Sequence, residues 1–404
     1  MTLQPSRRAF MSGAMGTILA GLPQGSNLVF AASAQKEPIL FVMLRGGMDG
    51  LNVVAPADDA NLHAARAVGI IPTTGFSLAN GLTNQDWRLH PSAPELNALY
   101  NSGQLAFVHA AGAPFPSRSH FEMQQLVESG TLDLTQIAPM GGWLGRYANT
   151  TAISGTFAVG AFGLPTVPTS ISNDFAALDL LSANSFKLSS PEKTAMIQQA
   201  YAAAINASAL DAALTHQAHD LLGGVQAFAG YNAGYVKPAT YGTDMLSNGL
   251  SIAAELMKKG AGLQLGTFEY DNWDTHTSQA SRIAPSIADI SKAIGAFWND
   301  IASANLNATV IIVSEFGRRI SANASGGTDH GHGNLMMVLG TAVKGNKIYG
   351  VWPGLAPAQT DQGDLAVTTD GRRVFLEAIA KRRGDAPAGL FPGLVNAAPL
   401  NIFA

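Results

Sequence analysis

The stretch that decides the fold is residues 39–50, ILFVML followed by RGGMDG, where an unbroken apolar run opens into a glycine-rich loop. An apolar run of this length, bounded by a turn signal, predicts a strand buried on both faces, as in a parallel sheet. Residues 309–314 (TVIIVS) form a second such run and are the most β-branched stretch of the chain. Because open α/β sheets bind ligands where their strands end, we expect both following loops to carry functional residues.

The rest of the sequence alternates between strand-like and helix-like patterns. Apolar runs predict further strands at residues 104–110, 264–270 and 335–339. Helical periodicity covers residues 93–100, 119–128 and 283–302. This alternation predicts a three-layer α/β/α sandwich with a mostly parallel, doubly wound sheet. Apolar residues at three- and four-residue spacing in residues 191–228 and 247–259 predict a helical insertion at about residues 190–260.

Composition excludes several classes of protein. The chain has 404 residues, of which 47% are hydrophobic and 13% charged, so it can bury a large core as one globular domain. It contains no cysteine, which excludes disulfide scaffolds, thiolate metal sites and cysteine nucleophiles. Its formal charge is -4 and it has no extended Lys/Arg-rich stretch, so we expect no nucleic-acid partner.

The N-terminal segment predicts export. Residues 6–11 (SRRAFM) precede an apolar, glycine-containing stretch, which resembles a twin-arginine signal, and residues 32–34 (ASA) offer a cleavage site. The alternatives are an N-terminal helix and a single membrane anchor, but glycines interrupt the apolar stretch short of the ~20 residues that a span needs. We therefore expect the twin-arginine export machinery as a partner and residues 1–34 as a signal peptide. The mature protein, residues 35–404, is then a periplasmic or secreted single domain without a membrane span.

Carboxylates and imidazoles follow several of the predicted strands. Parallel strands deliver such residues to one edge of a sheet, and in the absence of thiolates a cluster of Asp, Glu and His suits a divalent cation. His330 and His332 lie two residues apart in a glycine-rich loop, where a ligand or catalytic role competes with simple solvation. The full set of candidates is Asp49, Asp271, Asp274, His276, Glu315, Asp329, His330 and His332.

Three of the carboxylates also have a structural interpretation. Asp49 suits a turn in the sequence Met-Asp-Gly, and Asp274 suits the N-cap of a following helix. Glu315 directly follows a buried strand and needs a partner there, which Arg318 or Arg319 would supply without any metal.

Six short motifs, in the same order, resemble those of a known family. They are residues 44–50 (LRGGMDG), 89–91 (LHP), 117–121 (SRSHF), 273–276 (WDTH), 314–318 (SEFGR) and 327–331 (GTDHG). Over residues 39–355 the chain resembles an uncharacterised family of twin-arginine-exported proteins of unknown function within the alkaline phosphatase and sulfatase superfamily. The resemblance implies a doubly wound α/β sandwich with one or two divalent metals at the strand ends. It also implies a Ser, Thr or formylglycine nucleophile and a phosphate or sulfate ester substrate.

The resemblance implies metal ligands at Asp49, Asp274, His276, Glu315 and one of His330 or His332. Glu315 matches the Asp of an Asp-His-Gly signature, and Phe316 stands where the signature has its His. Because a phenylalanine cannot bind a metal, we expect a single ion. Carboxylates outnumber imidazoles in this set, so Ca²⁺, Mn²⁺ or Mg²⁺ suits it as well as Zn²⁺ does.

The nucleophile implied by the resemblance falls on Pro114, in the stretch PFPSR, so no formylglycine can form there. Ser119 is the best candidate among the neighbours of Pro114, since a hydroxyl at a helix N-terminus lies beside free backbone amides that favour negative charge. The alternative is that Ser119 forms a capping box with Glu122.

Three basic residues complete the candidate catalytic set. Arg118 and His120 flank Ser119 and are expected to bind an anion or assist proton transfer, and Arg45 is a further candidate anion clamp.

The sequence leaves three possible functions open. The first is a metal-dependent hydrolase in which the metal acts as Lewis acid and Ser119 or water attacks. The second is a non-catalytic binding protein that keeps the ancestral cleft, and the third is an envelope structural or assembly partner.

Overall fold

The computed structural model describes residues 36–66, 71, 74–151, 153, 157–172, 178–180, 235–238, 240–384, 386–396 and 398–404. The expected signal peptide and the greater part of the expected helical insertion lie outside these described residues. Residues 245–258 of that insertion are described and form a helix. None of the described helices combines the length and apolar character that crossing a membrane requires.

The described residues form fourteen strands and nine α-helices. The strands are β1 (Ile39–Leu44), β2 (Val54–Pro56), β3 (Phe76–Ser77), β4 (Trp87–Leu89), β5 (Leu105–Gly112), β6 (Val159–Phe162), β7 (Leu178–Leu180), β8 (Leu265–Tyr270), β9 (Thr309–Ser314), β10 (Arg318–Ala322), β11 (Thr328–His330), β12 (Asn334–Leu339), β13 (Lys347–Tyr349) and β14 (Thr369–Asp370). The helices are α1 (Gly50–Val53), α2 (Ala60–Ala65), α3 (Pro94–Asn101), α4 (His120–Ser129), α5 (Ile137–Met140), α6 (Trp143–Thr150), α7 (Met245–Lys258), α8 (Gln279–Ala302) and α9 (Arg372–Arg383).

The central sheet is mixed and mostly parallel, which confirms the predicted fold class. Within the described residues its order is β13-β5-β12-β9-β1-β8-β6-β7, with β14 paired to β5. Strand β1 pairs in parallel with both β8 and β9, and its last residue, Leu44, lies opposite Tyr270 on one side and Ser314 on the other. The loops after these three strands therefore begin at the same level of the same edge.

Helices cover both faces of this sheet because successive residues of a strand point to opposite sides. Leu40, Val42 and Leu44 of β1 belong to a core cluster that includes apolar residues of α3, α7 and α8. Phe41 and Met43 belong to a second cluster, with residues of α4, α6 and α9. All six side chains of β1 are buried, and burial of each large one contributes about 1.5 to 3 kcal/mol of transfer free energy.

One strand of the sheet runs against the others, which the sequence did not predict. Strand β12 is antiparallel to both of its neighbours, β9 and β5. The expectation that parallel strands deliver all the candidate residues to one edge is therefore corrected: among the described residues, the parallel strands β1, β8 and β9 end at this edge and the antiparallel strand β12 begins there. Because β12 enters the sheet from this edge, the residues just before it reach the same place as the loops after β1, β8 and β9.

Candidate metal centre

Three imidazoles and one carboxylate converge at this edge of the sheet. Asp274 Oδ1 lies 3.1 Å from His276 Nε2, 3.5 Å from His330 Nε2 and 3.8 Å from His120 Nε2. The Nε2 atoms of His276 and His330 are 2.9 Å apart. One ligand atom from each of His120, Asp274 and His330 lies within 4.8 Å of the other two. We call these four residues the candidate metal centre.

Each of these residues is placed by a different part of the fold. Asp274 and His276 lie in the loop after β8, His330 is the last residue of β11, and His120 is the first residue of α4. The loop after β8 packs closely on the loop after β1, where Gly46 has φ +111°. A Cβ at Gly46 would lie 2.6 Å from the backbone nitrogen of Asp274, so no other residue fits there without displacing the loop.

The second nitrogen of each imidazole bonds to an acceptor. The three Nδ1 contacts are His120 to Glu315 Oε1 at 2.7 Å, His276 to Asp329 Oδ1 at 2.9 Å and His330 to the Arg118 carbonyl at 2.8 Å. A carboxylate or carbonyl oxygen only accepts, so each Nδ1 carries the proton and donates it. In the neutral imidazoles every Nε2 is then left with a free lone pair, which is the arrangement by which histidines bind metal ions.

The geometry therefore fits a divalent cation. With all three imidazoles neutral and no cation bound, the three Nε2 lone pairs and the Asp274 carboxylate oxygen would repel one another, most strongly between His276 and His330. His120 Nε2 is buried and has no hydrogen-bond partner among the described residues. The separations of Asp274 Oδ1 from the three Nε2 atoms, and of the Nε2 atoms of His276 and His330 from each other, are 2.9 to 3.8 Å. They bracket the edge of a tetrahedron around Zn²⁺ with Zn–N bonds of 2.0–2.1 Å, which is about 3.3 Å.

Arg318 holds the loops of this edge together. Its buried guanidinium donates to the carbonyls of Gly47 at 2.7 Å, Trp273 at 3.0 Å and Thr328 at 2.9 Å, and to Asp274 Oδ1 at 2.6 Å. Burial acts to raise the pKa of Asp274, but the hydrogen bond and charge of Arg318 outweigh it and hold that pKa below its usual value. The Asp274 carboxylate is therefore ionised at neutral pH and available to a cation.

Glu315, which was expected to be a ligand, lies behind His120. Its side chain is 0% exposed and accepts hydrogen bonds from His120 Nδ1, from Gln124 Nε2 at 2.8 Å and from the Gly46 amide at 2.9 Å. Burial acts to raise the pKa of Glu315, but the hydrogen bonds from His120 and Gln124 outweigh it and lower that pKa. The structure thus bonds Glu315 to a candidate ligand, and not to Arg318 or Arg319 as the alternative interpretation had it.

The structure does not bring Asp49 or His332 into the candidate metal centre. Asp49 is buried and receives two hydrogen bonds from Arg66, at 2.7 and 3.0 Å, and one from Gln279. It is also the residue before α1, but its side chain forms no cap hydrogen bond. His332 Nδ1 bonds instead to Asp361 Oδ2 at 2.6 Å.

The candidate catalytic residues next to His120 have structural partners as well. Ser119 is the N-cap of α4, and its Oγ accepts from the Glu122 amide at 3.5 Å. The Arg118 guanidinium binds Asp364, with Nε 2.7 Å from Oδ2. Arg45 binds Gln124, Glu128 and Glu269, so it is not a free anion clamp.

Sequence reasoning did not assign His120 as a metal ligand, and it included Asp329 in the candidate cluster without predicting that it would bond to His276. His120 was assigned to anion binding or proton transfer because it lies beside Ser119. Because His120 lies on a helix and the other candidate ligands lie in distant loops, no sequence spacing connects it with them. The signal that was present is the occurrence of His with Asp or Glu after strand ends. It predicted the cluster, but not which residues are candidate ligands and which accept hydrogen bonds from the candidate ligands.

The fold and the converging imidazoles define an α/β protein with a histidine-rich candidate metal centre at the edge of a mostly parallel sheet. Residues 108–370 match the family described as "Protein of unknown function (DUF1501)". This match covers more than half of the chain, so the protein belongs to that family. No curated protein matches the sequence.

Several solved structures are similar at low identity. The C-terminal periplasmic domain of EcEptC from Escherichia coli, in complex with Zn, is 9% identical, with 79% of this chain and 76% of that chain covered and a TM-score of 0.38. The lipoteichoic acid synthase LtaP from Listeria monocytogenes is 9% identical, with coverage of 89% and 81% and a TM-score of 0.37. Phosphonoacetate hydrolase from Sinorhizobium meliloti 1021 is 10% identical, with coverage of 70% and 57% and a TM-score of 0.32. These likenesses are too distant to identify a reaction.

Proposed function

We propose that this protein is a metal-dependent hydrolase of phosphate or sulfate esters that holds one divalent ion on His120, Asp274, His276 and His330. The observation that carries the proposal is the convergence of three imidazole Nε2 atoms on one carboxylate oxygen while every Nδ1 donates to an acceptor. This ligand set revises the one that the sequence suggested. It adds His120 and keeps Asp274, His276 and His330. Glu315 is no longer a ligand in this set, and it instead accepts the hydrogen bond that orients His120.

The proposed ligands favour a particular class of ion. Three imidazoles and one carboxylate suit Zn²⁺ or another first-row transition metal, whereas Ca²⁺ and Mg²⁺ prefer sites built from oxygen atoms. We therefore propose Zn²⁺ first among the four ions that the sequence left open. When bound, such an ion would supply Lewis acidity to an ester oxygen.

The chain's own residues prepare the centre for an ester. Glu315 and Asp329 hold the His120 and His276 rings in the orientation that directs Nε2 inward. The side chains of Asp274 and His276 are 50% and 41% exposed, so an anionic ester can reach the centre from solvent. Ser119 directly precedes His120 at the N-terminus of α4, and its Oγ or a water molecule is the proposed nucleophile.

A second candidate function is a non-catalytic protein in which the ion is purely structural. The observation in its favour is that four protein groups gather at the centre, which is the number of ligands that structural zinc sites have. The two candidates predict the same metal content but differ in hydrolysis. For both candidate functions, we also propose that the twin-arginine machinery exports the protein and that the mature chain is a single domain.

The test combines metal analysis with a panel of chromogenic phosphate, phosphonate and sulfate esters. We expect about one ion per chain in the parent protein, a loss of that ion in Asp274→Asn, and hydrolysis that chelation abolishes and Zn²⁺ restores. Asp361→Asn is the matched control, since it alters a second Asp–His pair, with His332, outside the centre. Metal content that is equal in the parent and Asp274→Asn would refute the ligand set. A full metal complement without hydrolysis of any ester would favour the structural candidate.

A further inference from the structure

A pocket of about 290 Å³ lies along α4, the helix that begins at the candidate ligand His120. Its lining includes Arg45, Phe121, Gln124, Glu128 and Glu269. Phe121 is the residue directly after the candidate ligand His120, and Gln124 lies one helical turn further along α4. Gln124 Nε2 and His120 Nδ1 both donate hydrogen bonds to Glu315 Oε1, so a lining residue of the pocket is connected to a candidate ligand through one carboxylate oxygen.

The charge of this pocket is set by a single guanidinium between two carboxylates. Arg45 donates to Glu128 Oε2 at 3.2 Å, to Glu269 and to Gln124 Oε1 at 2.8 Å. Arg45 and Glu269 carry opposite charges, and burial raises the pKa of Glu128 to about 7, so the three groups sum to one negative charge above that pH. The pocket therefore offers no unpaired positive group to an anion, and a further negative charge inside it would be repelled.

The remaining lining suits a neutral molecule with hydroxyl groups. Gln125, Thr166 and Thr169 add neutral donors and acceptors. Phe121 is 83% exposed and Val167 is 49% exposed, so both present apolar surface at the pocket to the carbon skeleton of a ligand. A volume of about 290 Å³ is at the lower end of the range for small-molecule sites, which suits an alcohol the size of glycerol or a single sugar.

We propose that this pocket binds the neutral, hydroxyl-bearing alcohol portion of the ester, while the phosphoryl or sulfuryl group lies at the candidate metal centre. This inference rests on the proposed function and adds the selectivity of the site. The pocket admits hydroxyl groups and disfavours an alcohol that carries its own carboxylate.

Two phosphate esters test the selectivity, because they differ only at the group that the pocket would contact. Glycerol 3-phosphate carries a hydroxymethyl group where 3-phosphoglycerate carries a carboxylate. At about pH 8, where Glu128 is ionised, we expect the KM of the zinc-loaded protein to be about fivefold higher for 3-phosphoglycerate. Glu269→Gln removes one carboxylate and releases Arg45 from it, so this ratio should fall to about one. Asp133→Asn removes an exposed carboxylate beyond the end of α4 and should leave the ratio unchanged.

The same pair of esters separates failure of this inference from failure of the proposed function. Hydrolysis of both esters with equal KM, or a ratio that Glu269→Gln does not change, would overturn the pocket assignment and leave the hydrolase intact. If neither ester is hydrolysed, calorimetric titration of the zinc-loaded protein measures their affinities directly. A retained preference for glycerol 3-phosphate would then support the pocket although the hydrolase had failed, and equal affinities or no binding of either ester would overturn the pocket.

Discussion

Replacing Glu315 with glutamine tests the candidate metal centre at the hydrogen bond behind His120. Glutamine has nearly the same shape, and its Oε1 can still accept from His120 Nδ1, Gln124 and Gly46. Its amide nitrogen would meet Ser314 Oγ, which already donates to the Leu44 carbonyl and can accept in return. The change therefore removes the negative charge behind the imidazole while it keeps most of the hydrogen bonds.

The expected effect on zinc affinity follows from that loss of charge. A carboxylate that accepts from the non-ligating nitrogen makes the imidazole a stronger ligand, and loss of such a partner weakens metal binding 10- to 100-fold as a rule. We expect a decrease of about that size in Glu315→Gln, equivalent to about 1.4 to 2.7 kcal/mol of binding free energy. Competition with a chromogenic chelator measures the affinity, and urea unfolding of the metal-free protein monitors the fold.

Glu128→Gln is the matched control, because it makes the same change at another buried carboxylate of the α4 layer that bonds to none of the four proposed ligands. Its zinc affinity should equal that of the parent. A loss of all measurable binding in Glu315→Gln would instead indicate that Glu315 is itself a ligand. Parental affinity in a folded Glu315→Gln protein would refute the supporting role altogether.

Three further predictions address other parts of the molecule. Burial raises the pKa of Glu128 from 4.5 to about 7, so its contribution to stability is present below about pH 4.5 and is lost as the pH rises through about 7. The free energy of unfolding should therefore fall by at most about 3 kcal/mol as the pH rises. Urea unfolding at pH 5 and pH 8 should show this decrease in the parent protein and not in Glu128→Gln, and equal pH dependence in the two proteins would contradict the prediction. Ser119→Ala should lower the free energy of unfolding by about 1 kcal/mol, and it should abolish ester hydrolysis if Ser119 Oγ, and not water, is the nucleophile; parental hydrolysis in Ser119→Asn, which retains a cap, would assign the attack to water and leave Ser119 only its capping role. Changing Arg7 and Arg8 together to lysine should block export, as cell fractionation would show, and unimpaired export would refute the twin-arginine assignment.

The sequence predicted the strands whose side chains are all buried. Apolar runs located β1 and β9 to the residue, because a strand buried on both faces leaves an uninterrupted signal. The beginning of α4 was likewise predicted from Ser119 and Glu122, which are at the spacing of a cap. The direction of β12 was not predictable, since an apolar run has no sign that distinguishes a parallel from an antiparallel strand.

The candidate site was predictable as a region and not as a set of ligands. Strand ends and residue types indicated Asp274, His276 and His330 together, because those features are local. Asp49 forms an ion pair with Arg66, which follows the end of α2, and no local sequence pattern predicts that ion pair. The choice between ligand and support for a carboxylate such as Glu315 depends on which way an imidazole from another element faces, and that is a property of the tertiary structure alone.

The reversed direction of β12 has a consequence for the order in which the centre can assemble during folding. Strands β9 and β12 pair antiparallel and are joined by the short β10–β11 hairpin, with no helical crossover between them. Hairpin-like units of this kind close short loops and form on a microsecond timescale, whereas parallel pairings await the return of a distant segment. Glu315, Arg318 and His330 therefore belong to a unit that can form early. Asp274 and His120 arrive only when β1 joins β8 and α4 docks, so ion binding would report the completion of the fold.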